Sequence, residues 1–264
     1  MSWAEVKKIN SDLNTPLDKL LKNILVGGYI WTRIPGEQTL NIPKYVDLYV
    51  SACGGAGGGG GGNASAFYES AGYYTSAAAG GGGGGYGSMI IDQKILASEN
   101  TSLNVTVGEG GIGGAKRASW GGSDSTAAPY SGSASSGTNG GTTLIGSYFT
   151  VTGGNGGGGA SNSGYNGTVG SGGSTGGASG TIVNAGGRNR GSNGNGGAGG
   201  SADFRKGGNG GGANCVYNSG TCTASNGGNG TDGVIIITWG AIRYADVKAD
   251  ILAAIANGQT HGEG

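Results

Sequence analysis

Six consecutive glycines, Gly80–Gly85, stand inside this chain, and they are one of many such tracts. Gly54-Gly55-Ala56 leads into Gly57–Gly62, and Gly156–Gly159, Gly172-Gly173, Gly196-Gly197 and Gly210–Gly212 follow. Glycine accounts for 67 of 264 residues. Ordering glycine costs more backbone entropy than ordering any other residue. A folded chain built this way therefore needs a return that only glycine gives. That return is close approach: extended three-residue-per-turn helices pack side by side only where no Cβ intervenes. Collagen is excluded, because there is no strict Gly-X-Y period and only four prolines occur. The ordered alternative is a bundle of separate polyproline-II-like glycine helices from one chain. Their backbone N–H and C=O groups would pair laterally, and six glycines would span roughly 19 Å. Composition alone also admits disorder. Against it stand the aromatic residues and the strand signals that bracket the tracts.

Lys plus Arg is 15 and Asp plus Glu is 15, and charged residues make up only 11% of the chain. That leaves no basic stripe for nucleic acid. The expected surface is neutral, rich in Ser, Thr, Asn, Gly and Tyr, closer to a paratope than to an enzyme cleft. Val234–Ile237 is too short to span a membrane. The opening Met1-Ser2-Trp3-Ala4-Glu5 lacks a basic n-region and an apolar h-region. Synthesis in the cytoplasm without a signal peptide is the expectation.

Three segments are predicted: 1–28 helical, 29–240 glycine-rich with its strands, and 241–264 a helix and tail. Ser2 and Glu5 make a capping-box pattern, and Trp3, Val6, Ile9 and Leu13 recur at helical spacing. Thr15-Pro16 restarts the helix, with Leu17, Leu20, Leu21 and Ile24 forming a second stripe. That stripe either packs on the chain's own strands or docks to another protein or sister copy. Ile30–Thr32, Thr39–Pro43 and Val46–Cys53 read as strands, the last alternating and running into Gly54. Met89–Ile95 with Leu103–Val107 reads as one hairpin, and Thr142–Ile145 with Tyr148–Val151 as another, turning at Gly146-Ser147. Val234–Trp239 is a continuous apolar, buried strand. A helix from about Tyr244 to Asn257 ends at Gly258, where a cap glycine belongs, and 259–264 reads as frayed. Cys215 and Cys222 either bridge a short loop or remain free thiols. No zinc site and no cofactor are expected, since the only histidine is His261.

Several separated blocks occur in order: Val105-Thr106-Val107-Gly108-Glu109-Gly110-Gly111, Thr150-Val151-Thr152-Gly153-Gly154, and Gly230-Thr231-Asp232-Gly233-Val234-Ile235-Ile236-Ile237. With Thr39–Pro43 and the strand before Gly54, this pattern over about 30–239 resembles the glycine-rich domain of bacteriophage tail-fibre and tail-tip adhesins. A similar domain occurs outside one family of animal receptor kinases. The resemblance implies a mainly β and irregular fold: a small antiparallel sheet supporting a bundle of polyglycine-II helices, here flanked by short N- and C-terminal α-helices. It also implies variable loops at the bundle tip that recognise a bacterial surface receptor, glycan or protein, with the protein residing at the tail tip of a virion. The terminal helices would attach it to other tail or particle proteins or to a sister copy as a homo-oligomer.

If the strand ending at Cys53 points away from the base, residues 63–79, 115–137 and 160–169 turn at the far end. The parity of later segments, including the Cys215–Cys222 loop, stays undecided. Candidate receptor contacts in the far loops are Phe67, Tyr68, Tyr73, Tyr74, Trp120, Tyr130 and Tyr165. Aromatic faces stack on sugars and apolar groups, and Lys116 and Arg117 could meet an anionic polymer. G-x-G-x-x-G matches arise from composition alone and none opens a helix of a βαβ unit. No P-loop or nucleophile elbow with a histidine exists, so no catalytic residues are expected. Two other readings stand beside the adhesin: a structural particle protein without receptor binding, and an ice-binding face, which the irregular bulky loops disfavour.

Overall fold

The computed structural model describes residues 16–17, 26–69, 73–96, 98–121, 132–163, 166–168, 170–173, 192–215 and 221–264. The N-terminal stripe therefore lies outside the described residues, apart from Pro16 and Leu17, which are helical and exposed. Among the described residues the chain is mainly β, in small antiparallel sheets, and one helix with defined bounds, Tyr244–Ala256, accompanies them.

Two sheets form the base. Val234–Trp239 pairs with Gly28–Thr32 on one side and Leu48–Cys53 on the other. Met89–Ile95 and His261–Glu263 complete this five-stranded sheet at its two edges. The second sheet runs Phe149–Val151, Thr143–Ile145, Ser102–Val107, Gly36–Asn41. Alternation explains how they pack. Ile235 and Ile237 point at Val50, Val105, Val107 and Ile145 between the sheets. Val234 and Ile236 point at Trp31, Tyr244, Val247 and Ile251 under the helix. Both faces of this central strand are covered, which is why it reads as an unbroken apolar run.

Two expectations are corrected here. Met89–Ile95 and Ser102–Val107 do not form a hairpin but enter different sheets. Each pairs laterally within its own sheet, the first with Leu48–Cys53 and the second with Gly36–Asn41. The C-terminal tail is not frayed: His261–Glu263 is an edge strand, and Tyr29 and Gly264 exchange backbone bonds at 2.7 and 3.0 Å. The hairpin through Gly146 (φ +50°) and the pairing of Leu48–Cys53 with Val234–Trp239 form as expected. The helix also stops where expected, with Gly258 at φ +83° donating to the Ile255 carbonyl.

From Cys53 the chain enters residues 54–62, every one of them buried. Their N–H groups point outward in a strict threefold repeat. Gly54, Gly57 and Gly60 donate to Ser88, Gly85 and Gly82. Gly55, Gly58 and Gly61 donate to Gly141, Thr138 and Ser135. Ala56, Gly59 and Gly62 donate to Thr231, Gly228 and Ser225. In each case the acceptor number falls as the donor number rises, so these three neighbours run antiparallel. The carbonyls repeat likewise. Gly55, Gly58 and Gly61 accept from Gly154, Gly157 and Ala160; Ala56, Gly59 and Gly62 from Gly111, Gly114 and Arg117; Gly57 and Gly60 from Gly208 and Gly211. Those three neighbours run parallel. Among the described residues the central tract thus has six neighbours, unlike a strand, which has two.

No side chain fits inside such a ring. A Cβ built at Gly57, Gly58, Gly59, Gly60 or Gly61 would stand 2.0–2.2 Å from a neighbour's carbonyl oxygen. Ala56 is tolerated for a local reason. The column that Gly59 and Gly62 aim at Asn209 and Gly212 would next reach residue 206, and there the chain has left the bundle for the hairpin Ser201–Ala202/Arg205–Lys206. That hairpin is clasped to the base. Phe204 meets the Tyr244 ring edge-on, the Tyr244 hydroxyl donates to Asp203 at 3.2 Å, and Lys248 pairs with Asp203 at 2.7 Å.

Two outcomes are expected. Gly60→Ala should lower stability by about 3 kcal/mol or more, since its Cβ lands on the Gly158 carbonyl oxygen at 2.0 Å and must pry two tracts apart. Gly228→Ala, whose nearest atom lies at 3.4 Å, should change stability by about 1 kcal/mol or less; thermal melts of the pair check this. The Lys248 ammonium, then the Tyr244 hydroxyl, hold the Asp203 carboxyl below the usual carboxylate range. A depressed folded value adds stability above the unfolded value that is lost as pH falls. The stability difference between wild type and Asp203→Asn should therefore be present at neutral pH and shrink progressively as pH falls through and below the ordinary carboxylate range.

Candidate functional site

The directions of the tracts decide which turns share an end. Among the described residues, 54–62 and every tract parallel to it leave the base and open into a short strand: Asn63–Glu69, Arg117–Gly121, Ser161–Ser163 and Ala213–Cys215. The returning tracts begin from Tyr73–Ala79, Gly132–Ser133, Asn166–Thr168, Ser192–Gly194 and Cys222–Ala224. All nine strands gather at the end opposite the base sheets. They form three three-stranded sheets, in which Arg117–Gly121 pairs parallel with Asn63–Glu69 because both continue parallel tracts. The segment around the two cysteines is part of this end. Cys215 and Cys222 are directly opposite in register and joined by a disulfide.

The strands are seated on a small core of Ala64, Ala66, Ala78, Ala213 and Cys215. A buried polar staple crosses it. The Asn162 amide donates to Ser65 Oγ at 2.9 Å and to the Ala77 carbonyl at 3.3 Å. The Asn63 amide donates to the carbonyls of Gly132 and Ala160. Together they tie four separate segments into one platform. Sequence reasoning missed this pair. The available signal was an asparagine placed within three residues of the end of a glycine tract, at Gly62-Asn63 and Gly159-Ala160-Ser161-Asn162.

The expected contact residues divide as follows. Phe67 and Tyr68 stand on Asn63–Glu69 and Tyr73 and Tyr74 on Tyr73–Ala79; Tyr68 is opposite Tyr74 and Glu69 opposite Tyr73. Trp120 stands on Arg117–Gly121, opposite Ala66. Five of the predicted aromatics thus share one three-stranded sheet. Lys116 is exposed at the end of its tract. Arg117 lies over Gly132, where a Cβ would stand 2.0 Å from the guanidinium carbon. Tyr130 and Tyr165 lie outside the described residues. Beside the disulfide hairpin a cleft of about 400 Å³ is lined by Asn195, Asn214, Thr223 and Ser225. The Asn214 amide and the Thr223 hydroxyl suit a polyhydroxylated ligand, while Ser225 Oγ is engaged by Gly212. A larger cleft of about 750 Å³ lies at the base, on the outer face of the four-stranded sheet.

Titratable chemistry lies elsewhere. The remaining thiol, Cys53, is buried at the foot of the central tract, and burial pushes it up to about 11. It is neutral and inert at physiological pH.

A family model described as a glycine-rich domain matches residues 32–240. The match covers the tracts and the base strands other than Gly28–Thr32 and His261–Glu263, and stops before the helix Tyr244–Ala256. No curated protein matches the chain.

The platform depends on the staple. Asn162→Ala strips donors from the buried Ser65 hydroxyl and Ala77 carbonyl, which should cost about 1–3 kcal/mol. Amide exchange in Asn63–Glu69 and Tyr73–Ala79 should quicken while the base strands keep their protection.

Proposed function

Since this chain belongs to the glycine-rich domain family, we propose that its tracts are polyglycine-II helices and that it is a tail-tip adhesin of a phage or prophage particle. The observation that carries the reading is the joint geometry of bundle and turns. Six neighbours around a threefold backbone repeat make a rod that presents few side chains. The strands into which the described outgoing tracts open, and those from which the described returning tracts begin, gather at one end. A rigid scaffold that carries so many chain reversals to one pole is the arrangement expected of a recognition surface.

The ligand is a component of a bacterial surface. Tyr, Asn and Ser at the distal end suit a glycan: ring faces stack on sugar faces and amides bond hydroxyls. Lys116 and Arg117 suit an anionic polymer. The base, which both chain ends approach through Gly28 and Trp239, would serve attachment to the particle.

Trp120 and Tyr130 are the preferred anchors, each worth about 2 kcal/mol when buried in an interface. A Trp120→Ala, Tyr130→Ala variant should keep the wild-type melting temperature and lose adsorption to intact cells of the susceptible strain. Undiminished adsorption moves the site to other distal residues. Wild-type protein that binds particles and no cells favours a structural particle protein instead.

A further inference from the structure

The rim of the bundle is closed by side chains, and their spacing says against what. In the interior an N–H that points away from its own tract meets the carbonyl of the next tract. Gly158 donates to Ser171 at 2.7 Å and Gly210 to Gly197 at 2.8 Å in this way. Residues 108–116 lie on the rim. Gly111 and Gly114 donate inward to Ala56 and Gly59. A threefold helix sends its other N–H groups in two further directions, about 120° away, where the bundle has no further tract among the described residues.

There the acceptors are side chains in steps of three. Gly110 donates to Asp232 Oδ1 at 2.8 Å, Gly113 to Asn229 Oδ1 at 2.9 Å and Lys116 to Asn226 Oδ1 at 2.9 Å. All three oxygens come from the neighbouring antiparallel tract, whose Gly227 and Gly230 also donate backbone bonds to Gly114 and Gly111. Asn139 repeats the device on another rim tract, accepting from Gly156 at 2.9 Å.

We infer that the Asn226, Asn229 and Asp232 column closes this edge against a glycine-rich segment from a second copy of the chain. The occupant follows from the chemistry. The bonds these side chains intercept are the ones that Ser171 and Gly197 carbonyls make where a further tract is present. An uncapped row of N–H groups at a three-residue spacing fits another glycine tract and offers little to a chain with side chains. The logic is that of a sheet edge protected from pairing. It rests on the observed bonds and is independent of the adhesin reading.

The test replaces the three residues by alanine and measures sedimentation against concentration in the full chain. The triple variant should associate beyond the wild-type mass as concentration rises. In dilute solution its Gly110 and Gly113 N–H groups should exchange about tenfold faster than wild type and regain protection on association. Asp232→Asn, which removes the same charge but keeps an oxygen, should sediment as wild type. A triple variant that keeps wild-type mass at every concentration overturns the inference. If the triple variant does not fold, Asn229→Ala decides. Gly113 exchange that slows with concentration supports the edge, and exchange independent of concentration overturns it.

Discussion

The backbone hydrogen bond between neighbouring glycine tracts is the interaction on which the rest of this structure depends. It is also a weak foundation taken singly. Each such bond contributes about 0.5–1.5 kcal/mol net, while fixing a residue's backbone costs about 1–2 kcal/mol and glycine costs the most. A tract bonded to one neighbour would lose that contest. Residues 54–62 use both donor and acceptor at nearly every position, toward six neighbours. Burial then supplies the other half of the argument. A tract sealed on all sides has no water to return to, so any opening leaves several polar groups unsatisfied at once.

The bundle still needs an anchor, and the base provides it. Val50, Ile145, Ile235 and Ile237 are essentially inaccessible between the two sheets, and their burial is worth roughly 1.5–3 kcal/mol each. Leu48–Cys53 and Val234–Trp239 pair there and hand the chain directly to the central tract and back from the last one. The helix adds a second attachment. Asp92, at a bulge in the base sheet, accepts from the Tyr244 N–H at 3.0 Å and caps the helix from outside. The helix in turn clasps Asp203 and Phe204, the loop that turns between two tracts. Base, helix and bundle are therefore mechanically continuous.

Much of this was legible in the sequence, and the failures have physical causes. The alternation from Val46 to Val50 and the apolar run Val234–Ile237 announced two paired base strands. The glycine tracts announced close packing, and chain direction followed for the first three turns. Met89–Ile95 misled because nearness in sequence argues for a hairpin, while two sheets competed for its partners. The tail misled because His261-Gly262-Glu263 has no apolar pattern; an edge strand needs only backbone. In so paratope-like a composition, asparagine suggests ligand-binding polarity. Many instead serve the scaffold: Asn162 and Asn63 as a buried staple, Asn226 and Asn229 as rim caps. The three-residue spacing of Asn226, Asn229 and Asp232 was the visible clue, since it matches the steps of three between the N–H groups of Gly110, Gly113 and Lys116 that they accept from.

The division of labour is then clear in physical terms. Glycine supplies shape and the apolar base supplies stability. The central claim is that one glycine tract bonds to different neighbours at successive residues. Couplings measured by NMR across hydrogen bonds, from the amides of Gly57, Gly58 and Gly59, test it most directly. The account predicts three partners in three separate tracts: the carbonyls of Gly85, Thr138 and Gly228. Couplings of alternate residues to a single neighbour would show a β-strand, and no couplings would show a coil; either result contradicts it.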